Sequence, residues 1–177
     1  MWNLYFNVTK CKVMHIERKN EETDYKMKVN ENEYRRIVKC NEEKDLGVIF
    51  AKSFSFDVHI QSCVNKANKM IGIIKRTFTF LDKEIFSNLD KALVRPHLEY
   101  GNVIWFPYLK RQSVTIERVQ RRGTRLISTL RDLSYTERLK KLDLLTLKYR
   151  RFRGDVIQVY KIIDQIDDLK GDTFFLL

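Results

Sequence analysis

Arginine and lysine are the residues of this sequence whose number and spacing point most clearly to chemistry. Residues 110–153 contain fourteen Lys or Arg and four Asp or Glu, so this block has a net charge of +10 in a 177-residue chain whose total is +11. Arg118, Arg122 and Arg125 recur at i, i+4 and i+7, which places them on one helix face, and Arg121 widens that face. Such a face can neutralise successive phosphates without reading bases. The alternative is a set of solvated or internally ion-paired arginines.

Other basic residues extend this candidate surface. Arg150, Arg151 and Arg153 form a second group within the same block. Basic residues outside the block could continue the surface along neighbouring helices. The predicted nucleic-acid-binding residues are Arg118, Arg121, Arg122, Arg125, Arg150, Arg151, Arg153, Lys75, Arg76 and Arg95.

Metal-dependent and covalent catalysis have little support in the residue pattern. Cys11, Cys40 and Cys63 are widely spaced, and no CxxC or HxxxH pair accompanies Cys11 and His15, so four zinc ligands cannot be assembled from local motifs. An odd number of dispersed cysteines favours a reducing compartment. No apolar run approaches the roughly 20 residues of a membrane span, and the first residues lack the pattern of a secretory signal. We therefore expect an intracellular protein with no membrane contact, no metal site and no catalytic residue.

Short alternating segments predict strands in the first fifty residues. Polar turns separate these segments, including one at Asn41–Lys44, and Gly47 suggests a bulge or a close approach by another backbone. A small antiparallel β meander is therefore expected over about residues 1–50. Its strands are predicted at residues 11–16, 25–29, 36–39 and 46–50.

Helical periodicity replaces the alternation after Phe50. Apolar residues spaced three or four apart predict a helix over 58–75, whose buried face comprises Ile60, Val64, Ala67, Ile71 and Ile74. Further helices are expected over 82–95, 113–130, 134–141 and 147–163. The coarse prediction is an α+β protein with strands at 1–50, a mainly helical bundle over about 54–165, and domains 1–50 and 51–177.

The sequence also predicts where some of these helices begin and end and which faces they bury. Asp82 and Ser134 are expected N-caps, the latter in a capping box with Glu137, and Pro96 is expected to end or kink the second helix. The predicted buried stripe of the second helix is Ile85, Phe86, Leu89, Ala92 and Leu93. The predicted inner face of the last helix is Tyr149, Phe152, Val156, Tyr160 and Ile163.

Several local motifs occur in an order that resembles one protein family. They are W-x3-F-N-x2-K-C-K-V-M-H from Trp2 to His15, K-D-L-G-V at 44–48, A-L-V-R-P-H-L-E-Y-G at 92–101 with Trp105, I-E-R-V-Q-R-R at 116–122 and Y-R-R-x-R-G-D at 149–155. This order resembles the region that follows the active site in reverse transcriptases of non-LTR (LINE-like, jockey-type) retrotransposons. The resemblance implies the end of a palm followed by a thumb-like helical region.

The resemblance also implies what this chain lacks. The family's aromatic-Ala-Asp-Asp turn and its earlier aspartate precede the segment that matches Trp2, and neither is present. The parent polymerase would use Mg²⁺, which several converging carboxylates hold, so we expect no cofactor here and no nucleotide addition by this chain alone. Leu46 and Gly47 match an element that helps to hold the primer end.

Four functional interpretations follow. The first is a polymerase fragment that binds the template–primer backbone without sequence specificity. The second is the inactive product of a truncated element, which the chain's start within a palm strand and its end at Leu177 favour. The third is a binding module retained by a host, and the fourth is a protein-interaction module that uses the helix at 113–130. The oligomeric state, and nucleus against cytoplasm, stay open.

Overall fold

In the described part of the chain, six short strands precede a series of α-helices, so the predicted α+β order is confirmed. The computed structural model describes residues 7–16, 21–30 and 32–169. The chain divides into two units, Met1–His59 and Ile60–Leu177. The first contains the strands, and the second contains most of the helical residues.

The strands form three separate pairs within the described residues, whereas the sequence predicted one antiparallel meander. Two of the pairs are antiparallel, and one is parallel. The antiparallel pairs are β2 (Lys26–Lys28) with β3 (Tyr34–Arg36) and β5 (Glu42–Asp45) with β6 (Val48–Ala51), and the parallel pair is β1 (Lys12–Val13) with β4 (Val38–Lys39).

The β5–β6 hairpin differs from the prediction in register. Leu46 and Gly47 have φ values of 44° and 90°, so they form the two-residue loop of a type I′ turn. The predicted turn at Asn41–Lys44 is therefore wrong, because residues 42–45 form a strand, and Gly47 is a turn residue rather than a bulge. Leu46 is 84% exposed at the tip of this hairpin.

Six α-helices follow within the part of the chain that the structure describes, and the sequence located most of them. The last helix has the predicted bounds, while the helix that carries Arg118 ends at Thr124 and not at Leu130. The helices are α1 (Asp57–Thr77), α2 (Lys83–Leu89), α3 (Arg95–Glu99), α4 (Lys110–Thr124), α5 (Tyr135–Leu142) and α6 (Leu147–Ile163).

Side-chain caps explain where α2 and α5 begin. Asp82 Oδ1 accepts a hydrogen bond from the Ile85 amide at 2.7 Å. Ser134 Oγ accepts from the Glu137 amide at 3.3 Å, and Glu137 Oε2 accepts from the Ser134 amide at 2.8 Å, which completes a capping box. Both predicted N-caps are confirmed.

The predicted buried stripe of the second helix is correct at Phe86 and wrong at three other positions, and the helix changes its winding along the run. A π-helical turn at Asp90–Val94 joins α2 to α3, so the run continues past Pro96 to Glu99. The wider π turn moves successive side chains around the axis. Four of the buried residues are spaced four apart, while Ile85, Ala92 and Leu93 are exposed. The buried residues are Phe86, Asp90, Val94 and Leu98, together with Ser87 beside Phe86.

Helix α6 presents its apolar stripe to solvent, which corrects the predicted inner face. Its buried side chains are Leu147 and Arg151, both 1% exposed, and they lie on the opposite side of the helix. Periodicity predicted the stripe correctly but not the direction in which it faces. The five predicted inner residues, Tyr149, Phe152, Val156, Tyr160 and Ile163, are between 45% and 61% exposed.

The core of the second unit fixes α4 beside α1 and α2. All five residues of the predicted α1 face are buried, as expected. Gly123 permits close packing of α4, since a Cβ there would lie 3.3 Å from Phe86 Cζ and 3.4 Å from Ile71 Cδ1. Trp105 is fully buried and donates from Nε1 to the Tyr100 carbonyl at 2.7 Å. This packing holds the basic face of α4 in a defined position.

Candidate nucleic-acid interface

A groove of about 740 Å³ lies along the C-terminal part of α1, helix α4 and the segment that follows α4. Apolar side chains such as Ile71, Phe78 and Leu126 line part of it. The described residues that line the groove include six basic side chains and no acidic one. We call this feature the basic groove, and its cations are Lys75, Arg118, Arg121, Arg122, Arg125 and Arg131.

The geometry of α4 suits a phosphate backbone. Arg118, Arg122 and Arg125 extend over about 10 Å at 1.5 Å per residue, which corresponds to about three base steps along the axis of a duplex at 3.4 Å per step. All six cations of the basic groove are solvent-exposed. Lys75 lies in the last turn of α1, where a positive charge also complements the helix dipole.

Two of these arginines are held by neighbouring side chains. The Arg121 guanidinium lies 4.7 Å from the ring centroid of Tyr135, a cation–π contact. Arg122 Nη1 donates to Asn68 Oδ1 at 3.3 Å. Neither partner carries a negative charge, so these contacts orient the guanidinium groups without neutralising them.

Glu117, the one carboxylate of α4, serves a structural purpose. It accepts a hydrogen bond from the Tyr135 hydroxyl, from the Leu147 amide at 3.3 Å and from the Lys148 amide at 3.2 Å. It therefore places a negative charge at the N-terminus of α6, where the helix dipole favours it. Burial, and then the bond to Glu117, raises the pKa of Tyr135, so this hydroxyl stays protonated.

The pKa of one buried arginine is affected by the positive charges of the basic groove. Arg138 is 2% exposed and donates to Thr124 Oγ1 at 3.0 Å and to the Leu133 carbonyl at 2.6 Å. Burial lowers the pKa of Arg138, and the positive charges of Arg125 and Arg121 lower it further. The sequence pattern missed Arg138, since an arginine inside a short amphipathic helix looks solvent-exposed.

The structure separates the two arginines at 150 and 151 from the basic groove. Arg150 donates from Nε and Nη2 to both carboxylate oxygens of Glu99, at 2.5 and 2.9 Å. Arg151 is 1% exposed and donates from Nη2 to Ser113 Oγ at 3.3 Å. Arg150 is therefore held in a two-point ion pair and Arg151 is buried, so neither belongs to the candidate surface.

Three further predicted residues lie outside the groove. Arg95 donates from Nε to Asp90 Oδ2 at 3.2 Å, in a pair where burial raises the pKa of Asp90 against the opposing effect of Arg95. Arg76 and Arg153 are exposed but do not line the groove. Arg131 does line it, although the sequence pattern did not single it out, since it follows the end of the predicted arginine face.

The remaining predictions concern the primer-holding element, metal ions and membrane contact. Leu46 and Gly47 form the hairpin tip of the first unit. Among the described residues, no three His, Cys, Asp or Glu side chains are grouped so that they could hold a metal ion. Over the same residues, no helix is both long enough and apolar enough to cross a membrane.

Comparisons with models of known families, with curated proteins and with solved structures found no match. The resemblance to non-LTR reverse transcriptases therefore stays a prediction from the motifs.

Proposed function

We propose that the helical unit binds the sugar–phosphate backbone of RNA or DNA through the basic groove. The observation that carries this proposal is the convergence of six exposed cations from two helices and a loop, with no acidic side chain among the described residues that line the groove. Backbone binding of this kind depends on counterion release and is insensitive to base sequence.

The motif resemblance supports a more specific form of the same proposal. In that form the chain is a piece of a non-LTR reverse transcriptase whose thumb-like helices hold the template–primer, with Leu46 and Gly47 near the primer and catalysis supplied elsewhere. The upstream reading frame provides a direct test. An intact aromatic-Ala-Asp-Asp turn in that frame would support this form, and an unrelated upstream sequence would contradict it.

The binding proposal is tested by measuring the affinity of the purified chain for a labelled RNA–DNA primer–template at several salt concentrations, with fluorescence anisotropy as the readout. The key variant is Arg121→Gln/Arg122→Gln/Arg125→Gln. If each arginine contacts one phosphate, the slope of log K against log salt becomes shallower by about 3, and affinity at low salt falls by one to two orders of magnitude.

A matched control removes three charges from the same 110–153 block but outside the groove. The variant Arg111→Gln/Lys140→Gln/Lys141→Gln alters exposed residues of α4 and α5. We expect its slope to change by less than about 1. Equal losses in the two triple variants would show that net charge matters and the groove does not. A wild-type slope near zero would overturn nucleic-acid binding altogether.

A further inference from the structure

The exposed face of α6 has the spacing of a helix–helix seam. Apolar residues recur at intervals of three, four, three and four, which is the heptad pattern of a coiled-coil interface. Tyr160 widens this seam on one side. At 100° per residue the set covers a stripe about 100° wide. The seam residues are Tyr149, Phe152, Val156, Val159 and Ile163, and they are between 38% and 61% exposed.

The exposed charges at the two ends of α6 oppose its dipole. Lys148 and Arg153 are the exposed cations of the first two turns, where a helix favours negative charge, while Arg150 and Arg151 of the same turns are held internally by Glu99 and Ser113. Asp164, Asp167 and Asp168 follow the last turn, where positive charge is favoured and Lys161 is the cation present. Glu117 compensates part of this at the N-terminus. A second helix with the same charges, running in the opposite direction, would place an acidic end beside each basic end.

We infer that two copies of this chain associate through α6, with the two helices antiparallel along the seam. A two-fold axis across the middle of the helices relates the copies, so the same surface serves both, as in the commonest homodimers. Val156 lies near that axis. The exposed Lys148 and Arg153 of each copy then lie toward the end of the other copy at which the aspartates follow α6. A parallel pair would instead bring like charges together at both ends.

The expected dimer is weak. A helix of 17 residues is about 25 Å long, and one such seam buries less than the roughly 800 Å² per partner of a standard interface. We therefore expect association that depends on concentration, with a dissociation constant in the micromolar range.

Sedimentation equilibrium of the full chain, from about 5 to about 200 µM, tests the proposal. Phe152→Asp/Val156→Asp should weaken association by at least about tenfold, because two apolar side chains at the centre of the seam become charged. Both residues are exposed in the monomer, so the helix content measured by circular dichroism should not change. Ile157→Asp is the matched control, since Ile157 is 43% exposed on α6 but lies off the seam.

Charge tests decide the orientation. Arg153→Glu should weaken the dimer, and Arg153→Glu/Asp164→Lys should restore much of the loss, because Asp164 is the nearest aspartate to Arg153 of the other copy when the axis lies at Val156. Raising salt from about 50 to about 300 mM should weaken an antiparallel dimer and strengthen a parallel one. A chain that stays monomeric at the highest concentration overturns the proposal. Equal losses in the seam variant and the Ile157 control would do so too, as would dimers that form only after residues 170–177 are removed.

Discussion

The carboxylate of Glu117 joins three elements, and its removal gives the sharpest prediction for the helical unit. Its two oxygens accept hydrogen bonds from the Tyr135 hydroxyl at the start of α5 and from the first amides of α6. The Glu117→Ala substitution leaves Tyr135 with Gln120 Oε1, at 3.2 Å, as an acceptor. It leaves the two α6 amides to water.

The size of the effect follows from these bonds. Loss of a helix N-cap acceptor costs about 1 kcal/mol, and hydrogen bonds to a charged group contribute about 1.5–3 kcal/mol each when they are sheltered from water. Glu117 is half-buried, so we expect Glu117→Ala to lower the free energy of unfolding by about 2–4 kcal/mol. For a chain of this length the midpoint of thermal unfolding should fall by about 5–15 °C.

Thermal unfolding followed by circular dichroism at the helical band measures this prediction. Glu117→Gln should lie between wild type and Glu117→Ala, because the amide keeps one acceptor oxygen but loses the charge and one of the α6 bonds. Arg118→Gln is the control, since it changes the charge of the neighbouring exposed residue on α4 and should alter stability by less than about 0.5 kcal/mol. If Glu117→Ala melts within a degree of wild type, Glu117 does not link α4 to α6.

Three more predictions rest on single contacts. Arg151→Met should leave stability unchanged or raise it by about 1–3 kcal/mol in urea unfolding, and should leave nucleic-acid affinity unchanged, because Arg151 is buried with Nε and Nη1 unpaired among the described residues. An affinity loss equal to that of Arg121→Gln would refute this. Ser134→Ala should cost about 1 kcal/mol. The hydrogen bonds with Ser134 lower the pKa of Glu137 below 4.5. The stability that the Glu137 carboxylate contributes is therefore complete above pH 4.5 and is lost as pH falls through the lower folded pKa. Unfolding measured from about pH 6 to about pH 3 should show this loss in wild type, and less of it in Ser134→Ala, which removes the side-chain bond. Gly123→Val should destabilise by about 1–3 kcal/mol through overpacking, whereas Gly72→Ala, where a Cβ meets nothing within 4 Å, should gain up to about 1 kcal/mol; equal effects would contradict the packing argument.

Local signals in the sequence were sufficient to predict several elements. The five apolar residues of α1 are all buried because their spacing leaves a single face for the core. The caps of α2 and α5 were predictable because a side chain three residues from its partner amide acts without help from the rest of the fold. The exposure of the arginine face of α4 could also be predicted from local spacing, because Ile116 and Val119 lie on the opposite face and are buried.

Features that depend on distant packing could not be predicted. Periodicity shows that α6 has an apolar stripe. However, Arg150 is bound by Glu99 and Arg151 by Ser113, so the face of α6 that carries these arginines is the one that turns inward. The π turn at Asp90–Val94 shifts the buried residues of its helix, and nothing in the apolar spacing marks it. The hairpin register depends on a leucine with positive φ, which sequence rules assign to glycine or asparagine.

The fold also shows that the positive charges of the +10 block at residues 110–153 are not equally accessible. A charge count treats all its arginines as equal, yet Arg138, Arg150 and Arg151 are committed to internal contacts. If phosphates contact only the six cations of the basic groove, the slope of log K against log salt is limited to about −5 for a duplex. A steeper slope would require other exposed cations, such as Arg153, to join the interface. A dimer through α6 doubles the number of grooves in one particle, so a slope measured well above the dimer dissociation constant on a long duplex should exceed that limit. The Phe152→Asp/Val156→Asp variant should return the slope to the single-groove value, because it separates the copies without changing the groove.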